Sequence, residues 1–307
     1  MGNLLFLDAP LLSKIWGGDY FHNVLKVSDK DDIGEMWVAS GYKGVESRIL
    51  NGKYKGLTLR DVYLNHPELF NNPTHKEFPI LIKIIAANDD LSIQVHPDDI
   101  KAKELENGVG KTEGWLILSH KIDAKLVVGH NIKNKEEFQK RVDDDKYDGA
   151  FKEIKVEDGE FYPIPAGTIH AIGKGIVLLE IQQSSDITYR VFDYHRKDKN
   201  GNERELHTAK AIEVTNYGPY NQKIHNVFKE NIDTIWDNQY FKVRLVKVND
   251  NYNLINDKDY LIVTSLSNDI KVDDRKLNIG SSFIVCHDLK EVSLKGKGNI
   301  IIVESKR

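Results

Sequence analysis

Four side chains have types and an order that suit a divalent cation. Gln94 and His96 lie in LSIQVHPDD (91–99), Glu113 in KTEGW (111–115), and His170 in EFYPIPAGTIHAIGKG (160–175). Two imidazoles, a carboxylate and an amide oxygen suit a borderline ion such as zinc, with an open position left for water or substrate. Each residue alone has a plainer reading. Ser92, Gln94 and His96 alternate with Leu91, Ile93 and Val95, as on a strand with one wet face. Glu113 opens an apolar strand and His170 follows a Pro-Gly turn, so solvation and structural packing are the bland alternatives. The signal comes from the set, and it is weaker than a CxxC pair would be.

Charged side chains nearby add a second layer. Lys83 sits inside ILIKII, a run that reads as buried on both faces, where an unpaired ammonium is costly. A snorkelling lysine at a strand end is the ordinary alternative, but Lys83 is central in its run. Arg190 and Arg196 flank an apolar–polar alternation and have Asp186 and Asp193 available as plain surface partners.

Strands must position most of these residues. Strand signals occur at 34–39, 46–50, 80–87, 91–96, 115–119, 125–128, 161–164, 176–182 and 188–192, and again at 241–248, 260–266, 282–286 and 300–304. Short strands punctuated by Gly, Asn and Asp predict a mainly β sandwich or barrel. Helices are few: 58–65 behind a Thr-x-x-Asp cap, 98–107 stopping at Gly108, 134–143 opened by Asn134, and 209–215 opened by Thr208. No helix–strand alternation of the parallel kind is present. GVGKT (108–112) resembles the end of a P-loop, but Leu105 stands where the motif requires glycine, and a helix precedes it instead of a strand.

Composition sets further bounds. The chain has 307 residues, 40% hydrophobic and 29% charged, with a net charge of −4. That balance predicts a soluble protein without a nucleic-acid partner. Cys286 is the single cysteine, which rules out an intramolecular disulfide and a cysteine zinc cluster and fits a cytoplasmic location. MGNLLFLDAPLL lacks a basic region and Asp8 interrupts its apolar run, so it does not read as a secretory signal. FPILIKIIAA is too short to span a membrane. The segment NQKIHNVFKENIDTIWDNQY is polar and linker-like. The expected organisation is a catalytic domain with helical insertions over 1–234 and a smaller, degenerate β domain over 235–307.

Gly159, Pro165, Gly167 and His170 follow G-x5-P-x-G-x2-H, which resembles the second cupin motif, and Gln94-x-His96 stands where cupins usually carry His-x-His. Gln-x-His-Pro, then Lys111-x-Glu113, then Pro-x-Gly-x2-His resembles type I mannose-6-phosphate isomerases in their short bacterial form. KIWGG (14–18), EMWVAS (35–40), LLEIQQSSDITYRVFDYHRKD (178–198) and ELHTAKAIEV (205–214) extend the likeness over roughly residues 5 to 220. The resemblance implies a cupin barrel with one zinc held by His96, Glu113 and His170, and Gln94 as an auxiliary ligand. It implies catalytic roles for Arg190, Lys111 and Glu180, and substrate or phosphate contacts from Lys83, Trp16, Asp186 and Arg196. Two positions depart from the family pattern: Ile172 stands where longer relatives have tyrosine, and Lys174 stands where cupins usually have asparagine.

The implied reaction interconverts mannose 6-phosphate and fructose 6-phosphate through a cis-enediol, with no redox cofactor. It needs a base for a carbon-bound proton and positive charge where an oxygen becomes negative. Lys111 and Glu180 are both open as the base. Two other readings compete: a different metal enzyme on the same barrel, and a sugar-binding cupin without catalysis. Turnover of the phosphosugar separates all three. The sequence leaves monomer and homodimer equally open.

Overall fold

A computed structural model describes residues 4–198 and 200–307, so the first three residues of the opening segment fall outside it. The chain forms two compact units. Of the described residues, one gathers 4–11, 36–84 and 229–307; the other gathers 12–35 and 85–228. The last segment of the first unit starts at residue 229, and the expected start of the second domain is 235. The earlier segments join it through pairings distant in sequence, such as Leu4–Leu7 with Ser282–Val285. Composition along the chain cannot register such pairings.

The first unit holds an eight-stranded antiparallel sheet. Its spine is a ladder of two fifteen-residue strands, Phe241–Ile255 and Glu291–Ser305, paired from Phe241↔Ser305 to Ile255↔Glu291. Alternate residues of these strands, including Val246, Val248, Leu254, Val292 and Leu294, enter one apolar core with Phe6 and Phe283. The helix Leu59–Asn65 begins with the expected capping box, in which Thr58 and Asp61 satisfy each other's backbone N–H groups.

In the second unit, five antiparallel strands lie in the order Tyr189–Phe192, Ile93–Val95, His170–Ile172, Lys125–His130 and Phe151–Lys155. Four more run side by side in the order His225–Asn226, Glu160–Ile164, Glu113–His120 and Ile176–Gln183. A core of Trp115, Ile117, Tyr162, Ile164 and Leu178 from the second group and Leu126, Val128 and Ile172 from the first lies between them. Much of the outer face of the five-stranded sheet is also covered. Ile93, Val95, Ala171, Tyr189 and Val191 pack there with Phe138, Ala211 and Ile212, which the helices Lys135–Asp143 and Thr208–Val214 carry. A strand with a covered outer face must turn its polar residues toward the interior.

The elements differ from the sequence reading in a few places. Residues 46–50 make isolated bridges, Leu7↔Ile49 and Arg48↔Thr58, instead of a strand. Leu91 lies outside the Ile93–Val95 strand and joins the inner core, away from Ile93 and Val95. The last helix has His207 at its cap position, and Thr208 is its first residue. The linker-like segment contains two short strands, His225–Asn226 and Thr234–Asp237. GVGKT lies between the helix Asp99–Glu106 and the strand Glu113–His120. A Cβ on Gly110 would come within 2.5 Å of the Asp98 backbone, so close helix packing accounts for that glycine.

Candidate active site

Strand register puts the candidate residues on one face. Gln94 pairs with His170 on one side and with Arg190 on the other, so the three project to the same side of the five-stranded sheet. In the facing group, Glu113 pairs with Gln182 and Trp115 with Glu180. Gly167 makes the turn ahead of His170, with φ +83° and its N–H donating to the His96 carbonyl at 2.8 Å. That bond ties the two histidine segments together.

His96, Glu113 and His170 are buried, and one ligand atom from each lies within 4.8 Å of the others. His96 Nδ1 is 2.8 Å from the Ile187 carbonyl and His170 Nδ1 is 2.8 Å from the Thr168 carbonyl. Carbonyls only accept, so each Nδ1 carries the proton and each Nε2 presents a lone pair. These lone pairs face Glu113, His96 Nε2 at 3.5 Å from Oε2 and His170 Nε2 at 3.3 Å from Oε1. Ligands about 2.0–2.2 Å from a tetrahedral ion are about 3.3–3.6 Å apart, so this donor set fits a divalent cation. Burial pushes the His170 imidazole down to about 4, which keeps it neutral and ligand-ready. Gln94 turns its amide nitrogen toward His170 Nε2 at 3.3 Å, while its oxygen faces Ser92 Oγ at 3.4 Å.

The charged neighbours follow. Lys111 is buried, its Nζ 2.9 Å from Glu113 Oε2. Glu180 is buried and accepts from Trp115 Nε1 at 3.1 Å. The charges of Lys111 and Glu180 both act on His170. Arg190 is half-buried and donates through one terminal nitrogen to the Glu205 carbonyl at 2.6 Å. Burial, and then the neighbouring Arg204, lower its pKa.

The remaining expected contacts have the following surroundings. Arg196 is held by the Asp193 carboxylate and the Asp90 carbonyl. Asp186 is exposed, and no hydrogen bond or ion pair among the described residues joins it to the cluster. Trp16 packs in the inner core beneath the Arg204 guanidinium, 5.4 Å from its ring centre. Lys83 belongs to the first unit, where it is buried with Nζ 4.7 Å from the centre of the Trp37 ring. Sequence reasoning missed Gln182 and Arg204. Gln182 lies two residues after Glu180 on one strand, and that spacing alone puts it on the same face. Arg204 carries no local signal, because its partner Asp193 is reached by a returning loop.

The fold and the site define a β-barrel protein with a buried imidazole–carboxylate centre. A family model described as phosphomannose isomerase type I, catalytic domain, matches residues 4–142. A probable mannose-6-phosphate isomerase of Bacillus subtilis is 37% identical over 98% of this chain and 99% of its own length. A Streptococcus mutans mannose-6-phosphate isomerase is 36% identical over 99% of each. The crystal structure of the mannose 6-phosphate isomerase from Bacillus subtilis superposes with a TM-score of 0.91 at 33% identity, covering 98% of this chain and 99% of that one. Phosphomannose isomerase from Salmonella typhimurium shares the fold, with a TM-score of 0.75 at 14% identity. The chain belongs to the type I phosphomannose isomerase family, and its fold is the expected cupin fold.

Proposed function

We propose that the protein interconverts mannose 6-phosphate and fructose 6-phosphate through a cis-enediol, with one zinc ion held by His96, Glu113 and His170. The observation that carries this is the pair of imidazole lone pairs aimed at one buried carboxylate at 3.3 and 3.5 Å. Three acceptors converge there beside the Lys111 ammonium, in an arrangement a divalent cation would bridge. Zinc, when bound, supplies positive charge to the sugar oxygen that becomes negative. Gln94 would present its oxygen as an auxiliary ligand after a half-turn of its amide.

The chain's own groups do the rest. The reaction moves one proton between carbons and one between oxygens. Besides the ligand Glu113, Lys111 and Glu180 are buried titratable side chains whose charges reach His170. They serve these two transfers, and the Lys111–Glu113 contact holds the ammonium beside the centre. Arg190, in register with Gln94, adds positive charge on the substrate side. Arg196, engaged by Asp193 and Asp90, is close enough for its charge to act on Arg190 and adds to the positive field on the substrate side.

The test incubates zinc-loaded protein with mannose 6-phosphate and measures fructose 6-phosphate. Expected are turnover, about one zinc per chain by elemental analysis, loss of activity on chelation and recovery with zinc. Full activity in metal-free protein would sink the metal assignment. Absence of conversion would sink the substrate.

A further inference from the structure

Gln182 is wholly buried and faces Glu113 across the strand pair. Its amide nitrogen donates twice, to the Gln183 carbonyl at 2.8 Å and the Ser185 carbonyl at 2.6 Å. Both carbonyls belong to residues 183–187, which end the strand Ile176–Gln183 and continue as a loop. That loop continues to Ile187, whose carbonyl accepts from His96 Nδ1 at 2.8 Å. Within it, Ser185 Oγ donates to the Val109 carbonyl at 2.7 Å and the Ile187 N–H points back to Ser185 Oγ at 3.4 Å. Gln182 Oε1 meets no partner among the described residues. A side chain kept only to fill this space would be apolar, since a buried acceptor without a donor is a cost. What the glutamine adds is its pair of donors.

We propose that Gln182 is a positioning residue for His96. Its amide ties down the 183–187 loop, the loop presents the Ile187 carbonyl, and that carbonyl fixes the tautomer and ring direction of the metal-binding imidazole. This rests on the metal reading of the site. Gln183 makes a parallel tie on the other face of the strand. It accepts from the Thr112 N–H at 2.8 Å and donates to Asp99 at 3.0 Å.

The test compares wild type with Gln182→Met, which keeps the length and removes both donors. Zinc affinity, measured by competition with a chelating dye, should fall about 10- to 100-fold. The visible spectrum of the cobalt-loaded variant should shift, reporting altered ligand geometry. Excess zinc should restore most of kcat with KM little changed. Should the methionine variant fail to fold, Gln182→Asn, whose shorter amide misses the loop carbonyls, should show the same losses to a smaller degree. Unchanged zinc affinity and cobalt spectrum beside tight wild-type binding would overturn the proposal. A raised KM with unchanged metal affinity would overturn it too, assigning Gln182 Oε1 to the substrate. Wild-type protein that binds neither ion would overturn the metal reading, and this inference with it.

Discussion

Lys111 Nζ lies 2.9 Å from Glu113 Oε2, and both side chains are shut away from solvent. A buried carboxylate shared by two imidazole lone pairs and one ammonium depends on its cations. Lys111→Met should therefore destabilise the metal-free protein by about 3–5 kcal/mol, the usual cost of breaking a buried pair from one side. Zinc should recover much of that loss. Thermal unfolding of wild type and variant, with and without zinc, checks it; equal melting temperatures in the metal-free state would contradict the pairing.

Arg190 projects from the same face as Gln94 and His170 and is anchored at one end by the Glu205 carbonyl. Arg190→Ala should lower kcat by roughly 10²- to 10³-fold, the range seen when one donor to a developing negative charge is removed. KM should move much less. Steady-state kinetics decides, and an effect confined to KM would remove the electrostatic role.

His130 is buried with both ring nitrogens committed to the backbone. Nε2 donates to the Asn216 carbonyl at 3.0 Å, and Nδ1 accepts from the Ile132 N–H at 3.2 Å. Burial lowers its pKa from the ordinary 6.5. A depressed folded-state value means that the unfolded chain takes up the proton first. The stabilisation is then full above about pH 6.5 and is lost as pH falls through the folded value. Urea midpoints of the metal-free protein should fall between pH 7.5 and 5. His130→Asn should flatten that slope, and an identical slope would refute the assignment.

Asp193 is buried between Arg204, at 2.7 and 2.6 Å, and Arg196. Burial pushes its carboxyl up, yet the two guanidiniums outweigh burial and hold it below the usual carboxylate range. Asp193→Asn should cost about 3–5 kcal/mol because two arginines lose their counter-charge. Chemical denaturation gives the figure; a change under about 1 kcal/mol would make the cluster an ordinary surface pair.

The candidate site residues were legible as a set and through the family resemblance, since each alone has a plainer local reading. Period-two alternation put Gln94 and His96 on one face, and the Pro-Gly turn marked His170. Capping patterns placed the helices at Leu59 and Lys135, and the stop at Gly108 marked the one at Asp99. What those helices cover was not legible. The outer face of Ile93 and Val95 is closed by Phe138 and Ile212, residues far along the chain. The strand Phe151–Lys155 escaped notice because its sequence, FKEIK, is mostly charged and its side chains are partly or fully exposed. Residues 249–255 and 291–299 are too polar to read as strands, and they are held by the ladder between them.

That ladder also bears on synthesis. The second unit draws on residues up to 228, so its sheets can pair while later residues are still being made. The first unit has to wait. Leu4–Leu7 finds its partner only when Ser282–Val285 emerges, and Glu291–Ser305 must follow to close against Phe241–Ile255. Until then this early apolar strand has only its bridge to Ile49 and lacks its ladder partner, which leaves a nascent chain stalled before about residue 280 with an unpaired strand edge and exposed to aggregation.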